Sequence, residues 1–550
     1  MLHPQTPEEA NFNVSRFREE KRRRDAIKLR GSLSAFVKAA WNVIEPTTTL
    51  VWNWHLDVVC DHLQALLEHR LPKQNLIINV PPGSMKSTIV SVCAPAWAWI
   101  QGDGALGDLG PSWRGLFAAG SDGLAMRDAM KARDILDSDW YQGTFLPDWS
   151  FSKDQNAKGF YKNSVTGFRK SLSANATVTG DRGNCIFVDD PLDAKKAFSK
   201  PARDEIKLWW DNAYANRLND LKTGTRCVIM QRLHEEDLVG HILSKEKEAW
   251  EVLKIRQGYE ADSNDPVAPT GLTLEMIHAR KCPLNPRPGQ SEAIMAELVA
   301  QGYTADGWID PRRDPEALMF PERFPQSVLD SEFRRLGSTG YAGQHQQRPA
   351  PLAGNLFHRE WFSNTYPLEP MAQRGQCQRI VQSWDTAAKR GQENDYSVCT
   401  TWGIGRGSYS LLEVWKEKVE FPDLKAQVKA LAAKWKPAVI LMEDTSAGVG
   451  ILQELKRDTR LPLIPISVPD DKVARANQAS PTFEAGNVLM PADPPAWVAD
   501  YVDSLCLFPA AKNDDEVDST TQFINWANSQ GDRGPLILGG SRRISDSLPR

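Results

Sequence analysis

The stretch NLIINVPPGSMKSTIV, residues 75–90, most constrains what this chain can fold into. An apolar strand, a Gly-Ser turn with a lysine, and a second apolar segment predict the strand, loop and helix of a phosphate-binding loop. In such a loop, backbone N–H groups at the helix N-terminus hold phosphate oxygens, a lysine lies between phosphates, and a hydroxyl binds Mg²⁺. Lys86, Ser87 and Thr88 supply these groups.

The loop departs from the usual pattern G-x-x-x-x-G-K-[ST] at both glycines. Val80 stands at the first glycine position and Met85 at the second. Met85 must therefore adopt whatever backbone geometry the loop demands. An ordinary strand-turn-helix is the alternative interpretation of the stretch. The nucleotide-contacting residues predicted here are Pro82, Gly83, Ser84, Met85, Lys86, Ser87 and Thr88.

A second feature about a hundred residues downstream favours a nucleotide site. In NCIFVDDPLD an apolar strand ends in Asp189 and Asp190. A strand ending in an Asp-Pro turn would look the same. After a phosphate-binding loop, however, adjacent carboxylates are what a Mg·ATP hydrolase needs, one for Mg²⁺ and one to orient the attacking water. The two motifs together predict ATP hydrolysis.

Composition sets the broad class. With 550 residues, two domains are expected, and the 41% hydrophobic and 25% charged content is typical of a globular protein. No apolar run approaches the length of a membrane span, and the polar first residues predict no secretory leader. The eight cysteines stand singly, so neither a zinc site nor a disulfide framework is expected. A net charge of −4 requires any nucleic-acid contact to come from local basic patches.

The N-terminal half alternates apolar strands with helical patterns. NLIINV, GLFAAG, NCIFVDD and TRCVIMQ are predicted strands, and this alternation predicts an α/β domain with a mainly parallel sheet. In the C-terminal half, RIVQSWDTA, YSVCTTWGI and SYSLLEVWKEKV predict an antiparallel meander. A helix, strand, helix and strand follow it, which is the order of a ribonuclease-H-like fold.

Acidic residues lie at the ends of elements in this second half. Each alone could be a turn carboxylate. In a ribonuclease-H-like sheet, however, the first and fourth strands lie side by side and the final helix packs across them. Converging carboxylates there would bind two hard cations that activate water against a phosphodiester. The residues are Asp385, Glu443, Asp514, Asp515 and Asp518, and spacing alone does not choose among the last three.

The chain resembles phage terminase large subunits over residues 35–526. The resemblance is carried by NVPPGSMKS, GDRGNCIFVDDPLD, VIMQRLHEEDLVGHIL, SWDTA, NDYSV, DKVARA and FPAAKNDDEVD. It implies that Asp189 is the Mg²⁺ aspartate and Asp190 the catalytic carboxylate, which is often a longer glutamate in other motors. It also places Gln231 on the element that couples nucleotide state to movement. Arg182 and Arg127 are candidate charge-stabilising arginines, with a plain surface role as the alternative.

In the second half the resemblance favours Asp515 first and Asp518 second as the third metal ligand. Family members often have a histidine where this chain has Asn513, which leaves the assistance of a neutral base open. Lys472 and Arg475 are placed in a basic loop that could meet DNA phosphates, with solvated loop charges as the alternative. The implied metal ligands are Ser87, Asp189, Asp385, Glu443, Asp514, Asp515 and Asp518.

The resemblance implies an ATP-driven DNA-packaging motor that is also an endonuclease. The implied cofactors are ATP and Mg²⁺, with Mn²⁺ as an alternative at the nuclease site. The implied partners are double-stranded DNA, the portal protein, the small terminase subunit and further copies in a ring on the procapsid. The implied location is the bacterial host cytoplasm. Two alternatives are an ATP-dependent helicase-nuclease and a catalytically silent portal-docking protein.

The expected organisation has five parts. They are a charged N-terminal arm (1–34), a P-loop ATPase domain (35–254), an insertion and linker (255–370), a ribonuclease-H-like nuclease domain (371–526) and a flexible C-terminal tail (527–550).

Overall fold

The structure is a computed structural model in which the chain divides into two compact units. The described residues are 7–71, 73–102, 108–176, 180–260, 312, 317–349, 356–386, 396–444, 446–467, 471–509 and 515–530. The N-terminal unit comprises Met1–Phe333 with Ser338–Pro351, and the C-terminal unit Arg334–Gly337 with Leu352–Arg550. Most of the predicted insertion and all of the tail beyond residue 530 lie outside the described residues.

The N-terminal unit is built on a mainly parallel sheet, as predicted. Its eight described strands stand in the order β3-β4-β5-β2-β6-β7-β1-β8, and only the pairs β3–β4 and β4–β5 are antiparallel. Strands β1, β6 and β7 are almost wholly buried, which suits the centre of a parallel sheet. The strands are β1 Asn75–Asn79, β2 Arg114–Ala119, β3 Phe151–Ala157, β4 Phe160–Asn163, β5 Phe168–Ser173, β6 Cys185–Asp189, β7 Thr225–Ile229 and β8 Trp250–Lys254.

Side-chain caps set where several helices of this unit begin. Ser32, Asn53 and Ser121 each accept a hydrogen bond from a backbone N–H in the first turn of the helix that follows. The helices are α1 Pro7–Gly31, α2 Leu33–Ile44, α3 Trp54–Leu67, α4 Ala94–Ala98, α5 Asp122–Asp137, α6 Asp139–Phe145, α7 Lys200–Trp209, α8 Leu238–Glu246 and α9 Gln326–Gln344, the last interrupted at Gly337 (φ +68°).

The charged N-terminal arm forms helix α1, and the C-terminal end of this helix is packed on the core. Ala26 and Leu29 are buried in the core of the unit, and Arg30 Nε donates to the carbonyl of Ile100 over 2.8 Å. A few apolar residues at helical spacing are enough to anchor the end of a strongly charged helix.

The C-terminal unit has the predicted ribonuclease-H-like order. Its seven described strands stand in the order β14-β13-β10-β11-β12-β15-β9, with β10, β11 and β12 antiparallel and β13 parallel to β10. The strands are β9 Thr365–Tyr366, β10 Arg379–Asp385, β11 Ser397–Ile404, β12 Tyr409–Glu417, β13 Val439–Glu443, β14 Leu463–Ile466 and β15 Val488–Pro491. The helices are α10 Pro370–Arg374, α11 Phe421–Trp435, α12 Ser446–Asp458, α13 Lys472–Glu484, α14 Trp497–Leu507 and α15 Asp515–Gln530.

The structure differs from the sequence-based boundaries in this half. Strand β9 pairs with β15, so residues assigned to the linker belong to the C-terminal unit. Lys472 and Arg475 lie in helix α13 rather than in a loop, because Asp471 caps that helix by accepting from Val473 N over 2.8 Å. Helix α15 continues to Gln530, past the predicted domain end. Within the described residues, no helix combines the length and apolar character that crossing a membrane requires.

One buried histidine makes the N-terminal core sensitive to acid. His55, in the first turn of α3, is fully buried between the rings of Trp54 and Phe320, at centroid distances of 6.1 and 5.4 Å. Neither of its ring nitrogens has a hydrogen-bond partner among the described residues. Burial, together with the charge of Arg312, lowers the pKa of His55 to about 3. The folded state therefore holds this imidazole neutral.

We expect His55→Phe to protect the protein against acid. A histidine whose folded pKa lies below its unfolded value takes up protons preferentially on unfolding, so stability is lost as pH falls below about 6.5. A phenylalanine fits between the same aromatic rings and does not titrate. The melting temperature of the variant relative to wild type should therefore be higher at pH 5 than at pH 8. The exposed His358→Gln is the control, and an equal difference at both pH values would contradict the assignment.

Candidate active sites

Three neighbouring strands bring the N-terminal motifs together. Strands β6, β7 and β1 are adjacent and parallel, so their carboxyl ends lie at one edge of the sheet. The predicted phosphate-binding loop follows β1, Asp189 and Asp190 end β6, and Gln231 follows β7. Asn79 Nδ2 at the end of β1 donates to the carbonyl of Met230 over 2.9 Å, which ties the loop entrance to the end of β7.

The loop's two left-handed positions are Gly83 (φ +76°) and Met85 (φ +55°). A Cβ on Gly83 would lie 2.8 Å from Cζ of Phe324, so this position has neither the conformation nor the space for a side chain. Met85 carries a positive φ and its side chain packs on the core of the unit. Val80 is buried at the end of the strand. Gly83 is therefore the glycine that close packing of the loop requires. Met85, which departs from the usual pattern, lies where its side chain can pack.

The helix after the loop positions the first carboxylate. It starts with a π-helical turn, Thr88–Cys93, in which Ser91 Oγ donates to Asp189 Oδ2 over 3.1 Å. The other oxygen of this buried side chain, Asp189 Oδ1, has no hydrogen-bond partner among the described residues. A buried carboxylate with one unpaired oxygen, close to the Ser87 hydroxyl of the loop, fits a site for hydrated Mg²⁺.

Lys86 lies against the second carboxylate. Lys86 Nζ is 2.6 Å from Asp190 Oδ2, and Asp190 Oδ1 accepts from the backbone N–H of Gln231 over 3.2 Å. Asp190 itself has φ +41°, a strained conformation for this residue. Burial, reinforced by the charge of Asp190, raises the pKa of Asp189 to about 7, although Lys86 and the Ser87 hydroxyl oppose the rise. The loop lysine and the strand-end acids thus form one electrostatic unit.

Gln231 completes the edge through its main chain. Its backbone N–H holds Asp190, while its buried Oε1 has no partner among the described residues. The next residue, Arg232, is fixed by a pair with Asp237 (2.9 Å, Nε to Oδ2), the cap of α8. The segment after β7 is therefore bonded both to Asp190 and to the start of α8.

The two candidate arginines are not brought to this edge by the chain's own fold. Arg182 precedes β6, at the opposite edge of the sheet, and its Nη1 donates to the carbonyls of Asn216 and Leu218, each over 3.0 Å. Arg127 is exposed on α5 and pairs with Asp128 over 2.8 Å. Within the described residues neither contacts Lys86 or Asp190.

Two contributors to the first site were not predicted from the sequence. Ser91 holds Asp189, and the buried Arg169 on β5 donates from Nη2 to the carbonyl of Ser91 over 2.9 Å. Neither residue stands in a motif that the sequence analysis singled out, so no signal in the sequence identified it.

The acids of the C-terminal unit also meet at one edge. Trp384 of β10 pairs with Met442 of β13, so the following residues, Asp385 and Glu443, end neighbouring parallel strands. Helix α15 crosses these strands, with Ser519 Oγ donating to the carbonyl of Ser383 over 2.8 Å. The first turn of α15 therefore faces the same edge.

Helix α13 adds two cations. Lys472 Nζ is 2.6 Å from Asp518 Oδ2, and Arg475 Nη2 is 2.6 Å from Asp518 Oδ1. Arg475 Nη1 is also 3.9 Å from Glu443 Oε1. The two residues assigned to a DNA-facing loop thus contact the acids of the site directly.

Burial and mutual repulsion both act on the acids at this edge. Burial raises the pKa of Asp385 well above its usual range, with further contributions from Asp518, Glu443 and Asp515. Burial also raises the pKa of Glu443, against the influence of Arg475. Carboxylates that repel each other are the donors that hard divalent cations prefer. The donor set therefore fits a divalent cation.

The side chains of the described residues are not already gathered around a metal position. Among them, no group of three or more His, Cys, Asp or Glu is arranged to hold an ion. Glu516 turns away and pairs with Lys416 over 2.5 Å. Asn513 and Asp514 lie outside the described residues, and the preference for Asp515 over Asp518 as third ligand stays a prediction.

The chain thus joins an α/β unit with a mainly parallel sheet to a ribonuclease-H-like unit with acids at its strand ends. Residues 382–526 match the family model of the terminase RNaseH-like domain. This match confirms the predicted resemblance to terminases over these residues. No curated protein matches the chain.

Solved structures of phage large terminases resemble this chain at low identity. The large terminase of a thermophilic bacteriophage, solved in complex with ATP-γ-S, is 9% identical, with 84% of this chain and 98% of that chain covered and a TM-score of 0.47. The large terminase of bacteriophage HK97 is 11% identical, with 90% of this chain and 99% of that chain covered and a TM-score of 0.32. The large terminase nuclease of the thermophilic phage G20c with bound magnesium is 19% identical, with 32% of this chain and 98% of that chain covered and a TM-score of 0.24.

We expect Met85→Gly to retain nucleotide binding and Gly83→Ala to lose it. Glycine adopts the conformation of Met85 without strain, whereas alanine at position 83 would be strained and would meet Phe324. Fluorescent nucleotide titration with Mg²⁺ measures both variants. The control is Gly407→Ala, at a positive φ with open space around it in the C-terminal unit. Loss of binding in Met85→Gly would show that the methionine side chain shapes the loop.

Proposed function

We propose that this chain is a terminase large subunit, in which the N-terminal unit hydrolyses ATP to translocate double-stranded DNA and the C-terminal unit cuts it. The observation that carries the proposal is the pairing of Lys86 with Asp190 in the same chain as a terminase RNase H-like domain. A loop lysine paired with a strand-end acid is the charge arrangement expected of a nucleotide hydrolase with no phosphate bound.

In the proposed ATP site, the chain's own residues exchange partners. Phosphate oxygens would take Lys86 from Asp190, because they offer more negative charge at the helix N-terminus. Asp190, still held by the Gln231 N–H, would then accept a proton from the water that attacks the γ-phosphorus, as the bond to the β–γ bridging oxygen breaks. Ser87 and Asp189 would hold Mg²⁺, which neutralises charge on the β- and γ-phosphates.

In the proposed nuclease site, Asp385, Glu443 and an acid of the 514–518 turn would hold the metal. A bound divalent cation supplies an activated water and stabilises the leaving oxygen. The acids orient that water for attack on a phosphodiester phosphorus, and the P–O bond to the leaving strand end breaks. Mg²⁺ is the proposed ion, with Mn²⁺ as an alternative.

The proposed partners follow from the same role. They are double-stranded DNA, the portal protein, the small terminase subunit and further copies in a ring on the procapsid, in the cytoplasm of a bacterial host. Arg127 is exposed, and it could therefore serve a neighbouring subunit's nucleotide. Arg182 is also on the surface but is already bound to main-chain carbonyls.

We expect Lys86→Ala to abolish ATP hydrolysis and leave plasmid cleavage unchanged. No other lysine stands in the loop to replace the lost charge, and the nuclease acids lie in the other unit. A loss of several hundred-fold or more in ATP turnover is expected from roughly 10³-fold effects of comparable charges. Phosphate release and plasmid nicking are measured on the same full-length sample. Lys200→Ala, which removes a surface lysine paired with Asp204, is the control; normal ATPase in Lys86→Ala would refute the loop assignment.

We expect the opposite pattern for Asp385→Ala. The variant should lose plasmid cleavage in Mn²⁺ while ATP hydrolysis persists, because the removed carboxylate ends β10 in the C-terminal unit. Asp503→Ala, at an exposed acid paired with Arg359 in the same unit, serves as the matched control. Cleavage at the wild-type rate in Asp385→Ala would show that the nuclease site does not lie at this edge of the sheet.

A further inference from the structure

Helix α1 carries a row of basic side chains on its outer face. Lys21, Arg24 and Lys28 follow one another at intervals of three and four residues, so they lie along one side of the helix. Arg18 stands one turn before Lys21. All four are exposed, and none of them has a hydrogen bond or ion pair with another described residue. These four residues are called the basic stripe below.

Other basic residues of the same helix are paired with acids. Arg16 Nε is 3.5 Å from Glu20 Oε1. Glu19 Oε1 is 2.6 Å from Arg22 Nη2 and 2.9 Å from Arg23 Nε. The two glutamates of this part of the helix are therefore engaged by basic residues outside the basic stripe.

The charge around the basic stripe is opposite to that of the whole chain. Residues 15–31 contain eight basic and three acidic residues, a net charge of +5, whereas the chain has a net charge of −4. The third acid, Asp25, is exposed beside the stripe and forms no ion pair with a described residue. The four cations and this one acid still leave the face with a charge of +3. A face of this kind attracts polyanions locally, although the chain as a whole does not.

The backbone beneath the basic stripe is fixed to the N-terminal unit. Ala26, on the opposite side of the helix from Arg24, is buried in the core. Arg22 Nη1 donates to the carbonyl of Thr144 over 3.1 Å, and the next turns are held by the bond from Arg30 to a core helix. A partner that binds here therefore has to order side chains only, which keeps the entropic cost of binding low.

The apolar residues of the outer face do not form a patch of their own. Phe17 is 62% exposed and Ile27 71%. They are ten residues apart, which is about 15 Å along the helix axis, and they point to different sides of it. Single exposed apolar side chains are ordinary, whereas an apolar protein partner would need a contiguous patch. The chemistry of the face thus favours a polyanion over an apolar protein surface.

We propose that the basic stripe of α1 binds the phosphate backbone of duplex DNA. The inference rests on the proposed function, in which the N-terminal unit moves such DNA, and it assigns a contact surface outside the two candidate active sites. The stripe extends about 15 Å from Arg18 to Lys28. Duplex DNA carries one negative charge per roughly 1.7 Å of its axis, so several phosphates lie within reach of four cations over this length.

The test is the salt dependence of DNA binding. The anisotropy of a short labelled duplex is measured with the full-length chain in EDTA and without nucleotide, so that neither cleavage nor ATP hydrolysis occurs. Each phosphate contact contributes about 0.9 to the slope of log K against the logarithm of the salt concentration. The double variant Lys21→Gln with Arg24→Gln should therefore lower this slope by about two, and weaken binding roughly ten-fold or more at about 0.1 M salt.

The matched control is Arg16→Gln with Arg23→Gln. It removes the same charge from the same helix, but from exposed side chains that are paired with Glu20 and Glu19. Glutamine is a good helix former, so both double variants keep the helix, which circular dichroism checks. The control should leave the slope close to that of wild type.

A second measurement needs no variant. Bound duplex DNA should slow the acetylation of Lys21 and Lys28 in wild type several-fold, as read by mass spectrometry of peptides. Lys200, a surface lysine of the same unit that is 70% exposed, reports any general loss of reagent.

The outcomes separate this inference from the proposed function. Equal slopes in the two double variants, or equal acetylation of Lys21 and Lys28 with and without DNA, would overturn the inference. If ATP turnover and plasmid cleavage were normal in that case, the proposed function would stand and the basic stripe would be left to an acidic protein surface. A lower slope in the stripe variant alone, in a protein without either activity, would support the DNA contact and remove the proposed function instead.

Discussion

A carboxylate at the end of a buried strand needs a cation, and both candidate sites are built around this constraint. Asp189 ends β6 and is followed by the more exposed Asp190, whereas Asp385 and Glu443 end β10 and β13 and are partly buried. Burial raises the pKa of Asp189, Asp385 and Glu443. Ionised acids in such places persist only where positive charge lies close to them.

In both units the compensating charge comes from the start of a helix. Lys86 lies where the phosphate-binding loop becomes helical, and Lys472 and Arg475 lie in the first turns of α13. The start of a helix is fixed by its cap or by the strand before it. The basic side chain in the first turn therefore lies at a defined position. The protein can therefore fold around its acids before any ligand binds, and ligands then act by exchanging with side chains.

The sequence predicted the parts whose signals are local. Strands β1, β2, β6 and β7 are short apolar runs, and the three antiparallel strands of the C-terminal unit carry β-branched and aromatic residues between polar turns. Strand β3, FSKDQNA, was missed because its residues are mostly polar. Helix α13 was interpreted as a loop because it contains Pro481 and has no marked apolar stripe. Lys86, Asp189 and Asp385 were identifiable because motif and strand end coincide.

The interactions that complete the sites could not be predicted in the same way. Ser91 reaches an acid ninety-eight positions away, and Arg475 reaches Asp518 across forty-three. No residue type or spacing encodes such pairs, since they follow from which strands become neighbours. The role given to Lys472 and Arg475 illustrates the difference. Two basic residues near a nuclease motif suggest contact with DNA, which stays a prediction, and the fold also pairs them with the acids.

The two sites differ in how readily the cation can leave. Lys86 is a single flexible side chain that is only 8% exposed, and it pairs with one carboxylate, that of Asp190, which is 30% exposed. Arg475 lies beside two acids, and its own main chain is bonded to α15. Exchange therefore breaks one ion pair at the candidate nucleotide site, and several contacts at the candidate nuclease site. An ATPase must release its lysine in every cycle. A nuclease that must not cut at random gains from acids that stay neutralised until metal and DNA are both bound.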